Sequence, residues 1–328
     1  NIKTDSKLLE GAPASVSLPA GKHRINIKIW NQNAVPALFV QGKTIVSDTS
    51  WLVTFEDKEW IDETGKASDQ SGTTYVKGGS WNFDTPENLP AAFNLPVKKV
   101  SAASVTQNER SLLVDFGKET FGFVVLHGLT GKGMLTLYYG ESKEEALSTT
   151  HCETFDRFSV DQQPLNREVT TRMPLSKAFR YINIQMDEGV KLDSVSMQYE
   201  WANLPERASF KCSHETINRI YDVAKYTFEL NTREFFIDGI KRDRWIWSGD
   251  AYQSYLMSYY LYFDAPTVTR TLFALRGKDP VTAHINTIMD YTFYWFLGIY
   301  DYYLYTGDKQ FVQQIYPRMQ SLMDWCLS

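Results

Sequence analysis

The spacing of the hydrophobic residues changes once along this chain, near Pro205, and that change constrains the fold more than any other feature. Before it, apolar and polar residues alternate in short runs, as between Ile25 and Ile29. Such alternation places every second side chain on one face of a β-strand. After it, apolar residues recur every three to four positions, as between Ile217 and Phe228, which is the spacing of an amphipathic helix. The sequence therefore predicts β structure followed by helices.

Two β-rich domains are predicted ahead of the change. The first covers residues 1–97 and resembles a jelly-roll or galactose-binding domain, complete or partial; the second, residues 98–204, is predicted to be a β-sandwich. Glycine turns between Gly117 and Gly140 separate short strands, and no long helical pattern lies between them, which favours a sandwich over parallel α/β units. No G-x-G-x-x-G motif follows a strand and precedes a helix, so these glycines indicate turns rather than a phosphate loop.

Residues 205–328 are predicted to be helical. Ser213 is expected to cap the first helix. Pro266 suits the first turn of a later helix, and Gly307 suits a helix end that is followed by Asp308 as the next cap. The further helices are predicted near residues 250–263, 266–276, 287–305 and 308–327.

The stretch from Asp238 to Asp250, DGIKRDRWIWSGD, is predicted to connect two of these helices. It combines three acidic side chains, three basic side chains and two Trp beside a glycine. Carboxylates and guanidinium groups suit sugar hydroxyls, indoles suit the apolar faces of a sugar, and glycoside hydrolysis requires carboxylic acids. The alternative is that these charges pair on a solvated surface with Trp245 and Trp247 packed beneath them. Because loops at the ends of rigid helices commonly carry functional groups, we favour a site.

Composition narrows the possible partners. The net charge of -5, without a basic cluster interleaved with aromatic residues, argues against nucleic acid. No apolar run is long enough to span a bilayer. The 3 Cys and 5 His form no spacing typical of a disulfide framework or a metal site. We expect no cofactor, although calcium in a β domain stays open, as does the oligomeric state. The start of the chain leaves the compartment undecided, with a periplasmic or secreted location favoured over a cytoplasmic one.

Six positions resemble the signature of the inverting α-L-rhamnosidases of glycoside hydrolase family 78: Asp238, Arg242, Asp243, Trp247, Gly249 and Asp250. Supporting motifs occur in the order expected for that family: Asp115-Phe116-Gly117, Tyr139-Gly140-Glu141, Phe179-Arg180-Tyr181 and Tyr303 to Asp308. The resemblance implies N-terminal β-sandwich domains followed by the first part of an (α/α)6 six-hairpin barrel.

The resemblance also implies roles for individual residues. Asp243 corresponds to the general acid that protonates the departing glycosidic oxygen. Asp238 and Asp250 correspond to carboxylates that hold hydroxyls of the sugar. The full set of residues that it assigns to substrate binding is Asp238, Arg242, Trp247, Asp250 and Trp295, with the two Trp as apolar walls.

Two departures from the family pattern accompany these assignments. Relatives usually carry Glu at the acid position and Cys-Pro after the first Asp, whereas this chain has Asp243 and Gly239-Ile240. The general base of the family lies far downstream, and we find no candidate for it before Ser328. Since an (α/α)6 barrel has twelve helices and the pattern here predicts about five, we expect a longer protein and exposed apolar helix faces in this part of it.

The resulting hypothesis is a glycoside hydrolase that removes terminal α-L-rhamnose from glycans or glycosides by an inverting acid/base mechanism. Its substrate is therefore expected to be a rhamnose-containing oligosaccharide or glycoside. The alternative is a non-catalytic carbohydrate-binding protein built on a degenerate glycosidase scaffold, which the Asp at the acid position and the missing base would explain.

Overall fold

The computed structural model describes residues 19–23, 27, 40, 43–46, 51–53, 76–77, 95–162, 170–277 and 281–328. The chain divides into two compact units. One unit contains Asn1–Asn31, Val35–Ala91 and Lys278–Pro280; the other contains Gln32–Ala34, Ala92–Gly277 and Val281–Ser328.

The described part of the first unit includes one strand pair. Strand β1 (Leu52–Val53) runs antiparallel to β2 (Val76–Lys77), with Leu52 opposite Lys77. Most of the predicted first domain, including Ile25 and Ile29, lies outside the described residues.

The second unit begins with a nine-stranded antiparallel sheet. Its strands are β3 (Val97–Ser101), β4 (Ser104–Asn108), β5 (Ser111–His127), β6 (Thr130–Gly140), β7 (Thr154–Gln162), β8 (Thr170–Arg172), β9 (Lys177–Met186), β10 (Val190–Lys191) and β11 (Ser194–Glu200). A short helix, α1 (Lys143–Leu147), follows β6. Strand β5 pairs with β4 and β9 in its first half and with β11 and β8 in its second half. The predicted β-rich region, with antiparallel pairing and glycine turns, is confirmed.

A register shift in β5 explains two of the sequence motifs. Pairing with β9 is interrupted between Asp115 and Thr120, where Gly117 adopts φ +85°. The Gly117 N–H donates to Asp115 Oδ1 at 2.7 Å. Arg180 donates to both carboxylate oxygens of Asp115, at 2.9 and 3.1 Å, and its hydrogen bond is the main reason that the pKa of Asp115 lies below its usual value. The Asp115 and Arg180 motifs therefore form one structural contact within the sheet.

Apolar side chains of both halves of β5 contribute to the core of the sheet. The largest fully buried side chains there are Leu126, Leu129, Leu135, Leu137, Tyr139, Phe179, Ile182, Ile184 and Met197. Phe179 packs edge-on against Phe116, with ring centroids 5.5 Å apart. This core supports the end of β6, to which α1 is attached.

Among the described residues, five α-helices follow the sheet: α2 (Glu215–Asn231), α3 (Ser248–Leu261), α4 (Ala265–Leu275), α5 (Met289–Thr306) and α6 (Lys309–Leu327). The predicted Ser213 cap is wrong, because α2 begins one residue later with His214 at the N-cap position. The Asn218 side chain accepts from the Cys212 N–H at 2.8 Å and donates to the Cys212 carbonyl at 2.9 Å. These bonds hold the chain ahead of the helix, while the His214 side chain makes no capping hydrogen bond.

The other predicted helix ends are confirmed. Pro266 lies in the first turn of α4. Gly307 ends α5 in the left-handed conformation, with φ 68°, which suits a residue without a Cβ. Asp308 caps α6 by accepting from the Phe311 N–H at 3.0 Å.

The helices share a second buried core and also carry exposed apolar side chains. The core includes Phe236, Tyr255, Tyr259, Leu272, Trp295 and Ile315. In contrast, Ile217, Ile220 and Val223 of α2 are exposed, as are Leu297 and Leu304 of α5. The expectation of exposed apolar helix faces is therefore confirmed for the described helices.

Candidate functional site

The predicted site stretch connects α2 to α3, as expected, and it closes on itself. The Asp238 N–H donates to the Trp245 carbonyl at 3.0 Å. In return, the Trp245 N–H donates to Asp238 Oδ1, also at 3.0 Å. Residues 239–244 therefore form a closed loop between these two positions, and we call residues 238–250 the site loop.

Two basic side chains of the site loop bind the β-sheet region. The Lys241 ammonium lies 2.7 Å from Glu145 Oε1 of α1. The Arg244 guanidinium donates to the Ser176 carbonyl at 2.9 Å. Arg244 adopts φ 47°, a conformation that a non-glycine residue occupies at a cost and keeps only when its surroundings hold it.

Arg242 and Asp243 lie between these two attachments, and both are exposed. Within the described part of the chain, no hydrogen bond or ion pair engages either side chain. Arg242 and Asp243 are adjacent residues of a closed loop, and their guanidinium and carboxylate, without protein partners among the described residues, are free to meet a ligand.

Tyr291 contacts both Asp250 and Trp247 at the start of α3, and no sequence motif pointed to it. The Tyr291 hydroxyl donates to Asp250 Oδ2 at 3.3 Å. The Tyr291 ring also packs edge-on against Trp247, with centroids 6.1 Å apart. Partial burial, followed by the charge and hydrogen bond of Asp250, raises the pKa of Tyr291. The Asp250 carboxylate lies in the first helical turn, where negative charge is favourable.

Asn286 fixes the backbone on both sides of Trp247. Its Oδ1 accepts from the Ser248 N–H at 3.0 Å, and its Nδ2 donates to the Ile246 carbonyl at 3.0 Å. Asn286 adopts φ 52°, and Asn tolerates that region better than most residues. A single Asn between two predicted helices gives no sequence signal for such a contact.

The two Trp of the site loop differ in exposure. The Trp247 side chain is partly buried, and among the described residues its buried indole N–H has no hydrogen-bond partner. Trp245 is 62% exposed. The structure therefore presents Trp245, which the sequence analysis did not assign to binding, as the more accessible indole of the loop.

The sequence-based role of Trp295 does not fit its position. Trp295 is 0% exposed within the core shared by α3, α4 and α5. Its indole N–H donates to the Leu272 carbonyl at 2.8 Å. Because the side chain has no exposed surface that a sugar could contact, Trp295 belongs to the core and not to the proposed site.

Within the described residues, no group of three His, Cys, Asp or Glu is arranged to hold a metal ion. None of the helices that the structure describes is both long enough and apolar enough to cross a membrane.

Two family models match the chain. The model described as alpha-rhamnosidase-like, bacteroidetes, N-terminal matches residues 1–184. The model of the bacterial alpha-L-rhamnosidase six-hairpin glycosidase domain matches residues 205–328. A search of curated proteins found no match.

Solved rhamnosidases share the fold at low sequence identity. The GH78 rhamnosidase of Bacillus sp. GL1 is 21% identical, with a TM-score of 0.57, over 68% of this chain and 25% of that one. The rhamnosidase from Klebsiella oxytoca with rhamnose bound is 17% identical, with a TM-score of 0.57, over 81% of this chain and 54% of that one. The α-L-rhamnosidase from Dictyoglumus thermophilum is 17% identical, with a TM-score of 0.58, over 81% of this chain and 37% of that one. The matched region thus spans 25% to 54% of these three solved chains.

Proposed function

Because this chain belongs to the family of bacterial α-L-rhamnosidase-like proteins, we propose that the protein containing it is a glycoside hydrolase that removes terminal α-L-rhamnose from glycans or glycosides. The observation that carries the proposal is the site loop, which presents Arg242 and Asp243 without protein partners among the described residues. Trp247 and Asp250 lie at the end of the same loop.

In the proposed reaction, Asp243 is the general acid. Its carboxyl group gives a proton to the glycosidic oxygen as the bond between that oxygen and the anomeric carbon breaks. A water molecule attacks the opposite face of the sugar and loses its proton to a second carboxylate, which inversion places about 6.5–9.5 Å from the acid. We assign no residue of this chain to that base.

The proposed binding roles follow from the atoms that the loop leaves available. One carboxylate oxygen of Asp238 accepts from Trp245, and one oxygen of Asp250 accepts from Tyr291. The remaining lone pairs of each carboxylate can accept sugar hydroxyl protons. Arg242 supplies guanidinium donors, and the partly buried Trp247 an apolar wall.

The test compares two rhamnosides in the full-length protein and in Asp243→Asn. The first is a rhamnosyl disaccharide, whose poor leaving group requires a proton. The second is an aryl rhamnoside with an acidic phenol, which leaves with little help. Loss of the general acid should lower disaccharide turnover by about 10²–10⁴-fold and aryl rhamnoside turnover far less.

Asp243→Glu is the matched control, since it restores the residue that the resembled family usually carries and keeps the acid function. Wild-type protein that binds rhamnose but turns over neither substrate would overturn the proposal in favour of a carbohydrate-binding protein. Equal losses on both substrates in Asp243→Asn would remove Asp243 from the acid role.

A further inference from the structure

We propose that Lys241 is a positioning residue: held by glutamates just after strand β6 and in α1, it fixes the part of the site loop that carries Asp243. The inference rests on the proposed function, because it concerns the placement of the proposed acid. It assigns a role to the Tyr139-Gly140-Glu141 motif, which the proposed reaction leaves unused.

The Lys241 ammonium lies among three carboxylates of the sheet region. Its Nζ is 2.7 Å from Glu145 Oε1, 3.7 Å from Glu141 Oε2 and 4.0 Å from Glu153 Oε2. The side chains of Lys241 and Glu145 are only 20% and 21% exposed. A partly buried, hydrogen-bonded ion pair holds its geometry better than a solvated one, which gives this contact a defined position.

Glu145 is itself held in place by the motif. The Glu141 N–H donates to Glu145 Oε2 at 3.0 Å, while the Glu145 N–H donates to the Ser142 hydroxyl at 3.1 Å. Gly140 permits this tight turn, because a Cβ there would lie 2.5 Å from the Ala146 nitrogen and 2.6 Å from the Ser142 carbonyl oxygen. Each oxygen of the Glu145 carboxylate therefore has a defined donor, Glu141 N–H on one side and Lys241 on the other.

The surrounding charges require a cation at this point. Burial alone would lower the pKa of Lys241, but the hydrogen bond that Lys241 donates to Glu145 and the charges of Glu141, Glu145 and Glu153 raise it overall. A fourth acid, Glu119 of β5, has a raised pKa mainly because it is buried; the charges of Glu141 and Glu145 raise it further, and the charge of Lys241 lowers it. Removing the Lys241 charge would leave these carboxylates without their shared cation.

Lys241 and Arg244 bracket Arg242 and Asp243 in the sequence. Arg244 provides the second attachment, through Ser176, and keeps a left-handed backbone conformation. With both attachments in place, the two intervening residues have their backbone fixed at each side. Without Lys241, only the Arg244 attachment remains, and Asp243 can move relative to a bound sugar.

The experiment uses the full-length protein with Lys241→Met, Lys241→Arg and Glu145→Gln, assayed on the rhamnosyl disaccharide and the aryl rhamnoside. Misplacement of a catalytic group by about 1 Å can cost on the order of 10²-fold. We therefore expect Lys241→Met to lower kcat on the disaccharide by about 10–100-fold, with a much smaller change on the aryl rhamnoside and little change in KM for either.

Two further variants complete the design. In Lys241→Met combined with Asp243→Asn, the loss on the disaccharide should not exceed that of Asp243→Asn alone, because no acid is left to position. Lys225→Met is the matched control: it breaks the 2.6 Å ion pair between Lys225 of α2 and Glu206, which lies ahead of that helix, and it should leave the ratio of the two activities unchanged. Lys241→Arg should restore most of that ratio.

The outcomes separate this inference from the proposed function. Inactive wild-type protein overturns the proposed function and this inference with it. Active wild-type protein in which Lys241→Met loses both activities equally, or in which the double variant shows additive losses, overturns the positioning role alone. If Lys241→Met does not fold, Glu145→Gln, which weakens the same contact while keeping an acceptor, must shift the ratio in the same direction, and an unchanged ratio overturns the role.

Discussion

Asp238 and Trp245 are joined by a reciprocal pair of hydrogen bonds, one from each backbone N–H, that closes the site loop. One bond uses the Trp245 carbonyl and the other uses the Asp238 carboxylate. The carboxylate that the sequence assigns to sugar binding thus also determines the shape of the loop. A substitution of Asp238 therefore affects both sugar binding and the closure of the loop, unless the new side chain still accepts from the Trp245 backbone N–H.

Asp238→Ala and Asp238→Asn separate these two functions. Alanine removes the acceptor of the Trp245 N–H at a cost of about 1 kcal/mol, whereas asparagine retains an acceptor oxygen. We expect amide exchange at Trp245 to be faster by about fivefold in the alanine variant and near wild type in the asparagine variant, with sugar binding weakened in both. Equal exchange in the two variants would show that the side chain does not close the loop.

Gly249→Ala tests the contact of Tyr291 with Asp250 and Trp247. A Cβ at Gly249 would lie 2.7 Å from Tyr291 Cε1, so the ring must move. We expect this movement to break the hydrogen bond from the Tyr291 hydroxyl to Asp250. The loss should raise KM for a rhamnoside by about fivefold, the equivalent of about 1 kcal/mol.

Gly239→Ala is the matched control in the same loop, because a Cβ there would meet no atom within 4 Å. Its KM should stay at the wild-type value. A Gly249→Ala protein with unchanged KM would mean that Tyr291 does not help to shape the sugar site.

Trp295→Phe distinguishes a core residue from a sugar-binding wall. The substitution leaves the buried Leu272 carbonyl without the indole donor, which costs about 1–3 kcal/mol, and it also leaves a cavity. We expect a lower midpoint of thermal unfolding and an unchanged KM. The reverse pattern, a raised KM at unchanged stability, would return Trp295 to the sugar site.

Glu119 is expected to make stability fall as pH rises. Burial, with Glu141 as the next contribution, raises the pKa of Glu119 from 4.5 to about 8, and both carboxylate oxygens are buried without a hydrogen-bond partner among the described residues. Between these pH values the native state keeps a proton that the unfolded state has released. The free energy of unfolding should therefore decrease from about pH 4.5 to about pH 8, by at most about 1.4 kcal/mol per pH unit.

Glu119→Gln removes this titration while keeping the shape of the side chain. Chemical unfolding at several pH values should show a shallower decrease for the variant than for wild type. Parallel decreases in the two proteins would mean that Glu119 is ionised in the folded state throughout this range.

The sequence by itself determined the features that depend on residues close to one another along the chain. The change of periodicity near Pro205, the first-turn Pro266, and the end of one helix at Gly307 with the start of the next at Asp308 are all local backbone preferences, and each is present in the structure. The Asp238–Asp250 motif likewise indicated the family, because it is a short pattern read along the chain.

Only the tertiary structure decided which way the side chains face and which distant residues they meet. Trp295 is buried and Trp245 exposed, although the sequence favoured the first for binding. The contacts of Lys241 with Glu145 and of Arg180 with Asp115 join residues 96 and 65 positions apart. The helix that Ser213 was expected to cap begins after His214 instead, and Asn218 of that helix binds the backbone of Cys212. Burial and long-range pairing arise when separate elements pack against one another, and no local pattern of residue types encodes that arrangement.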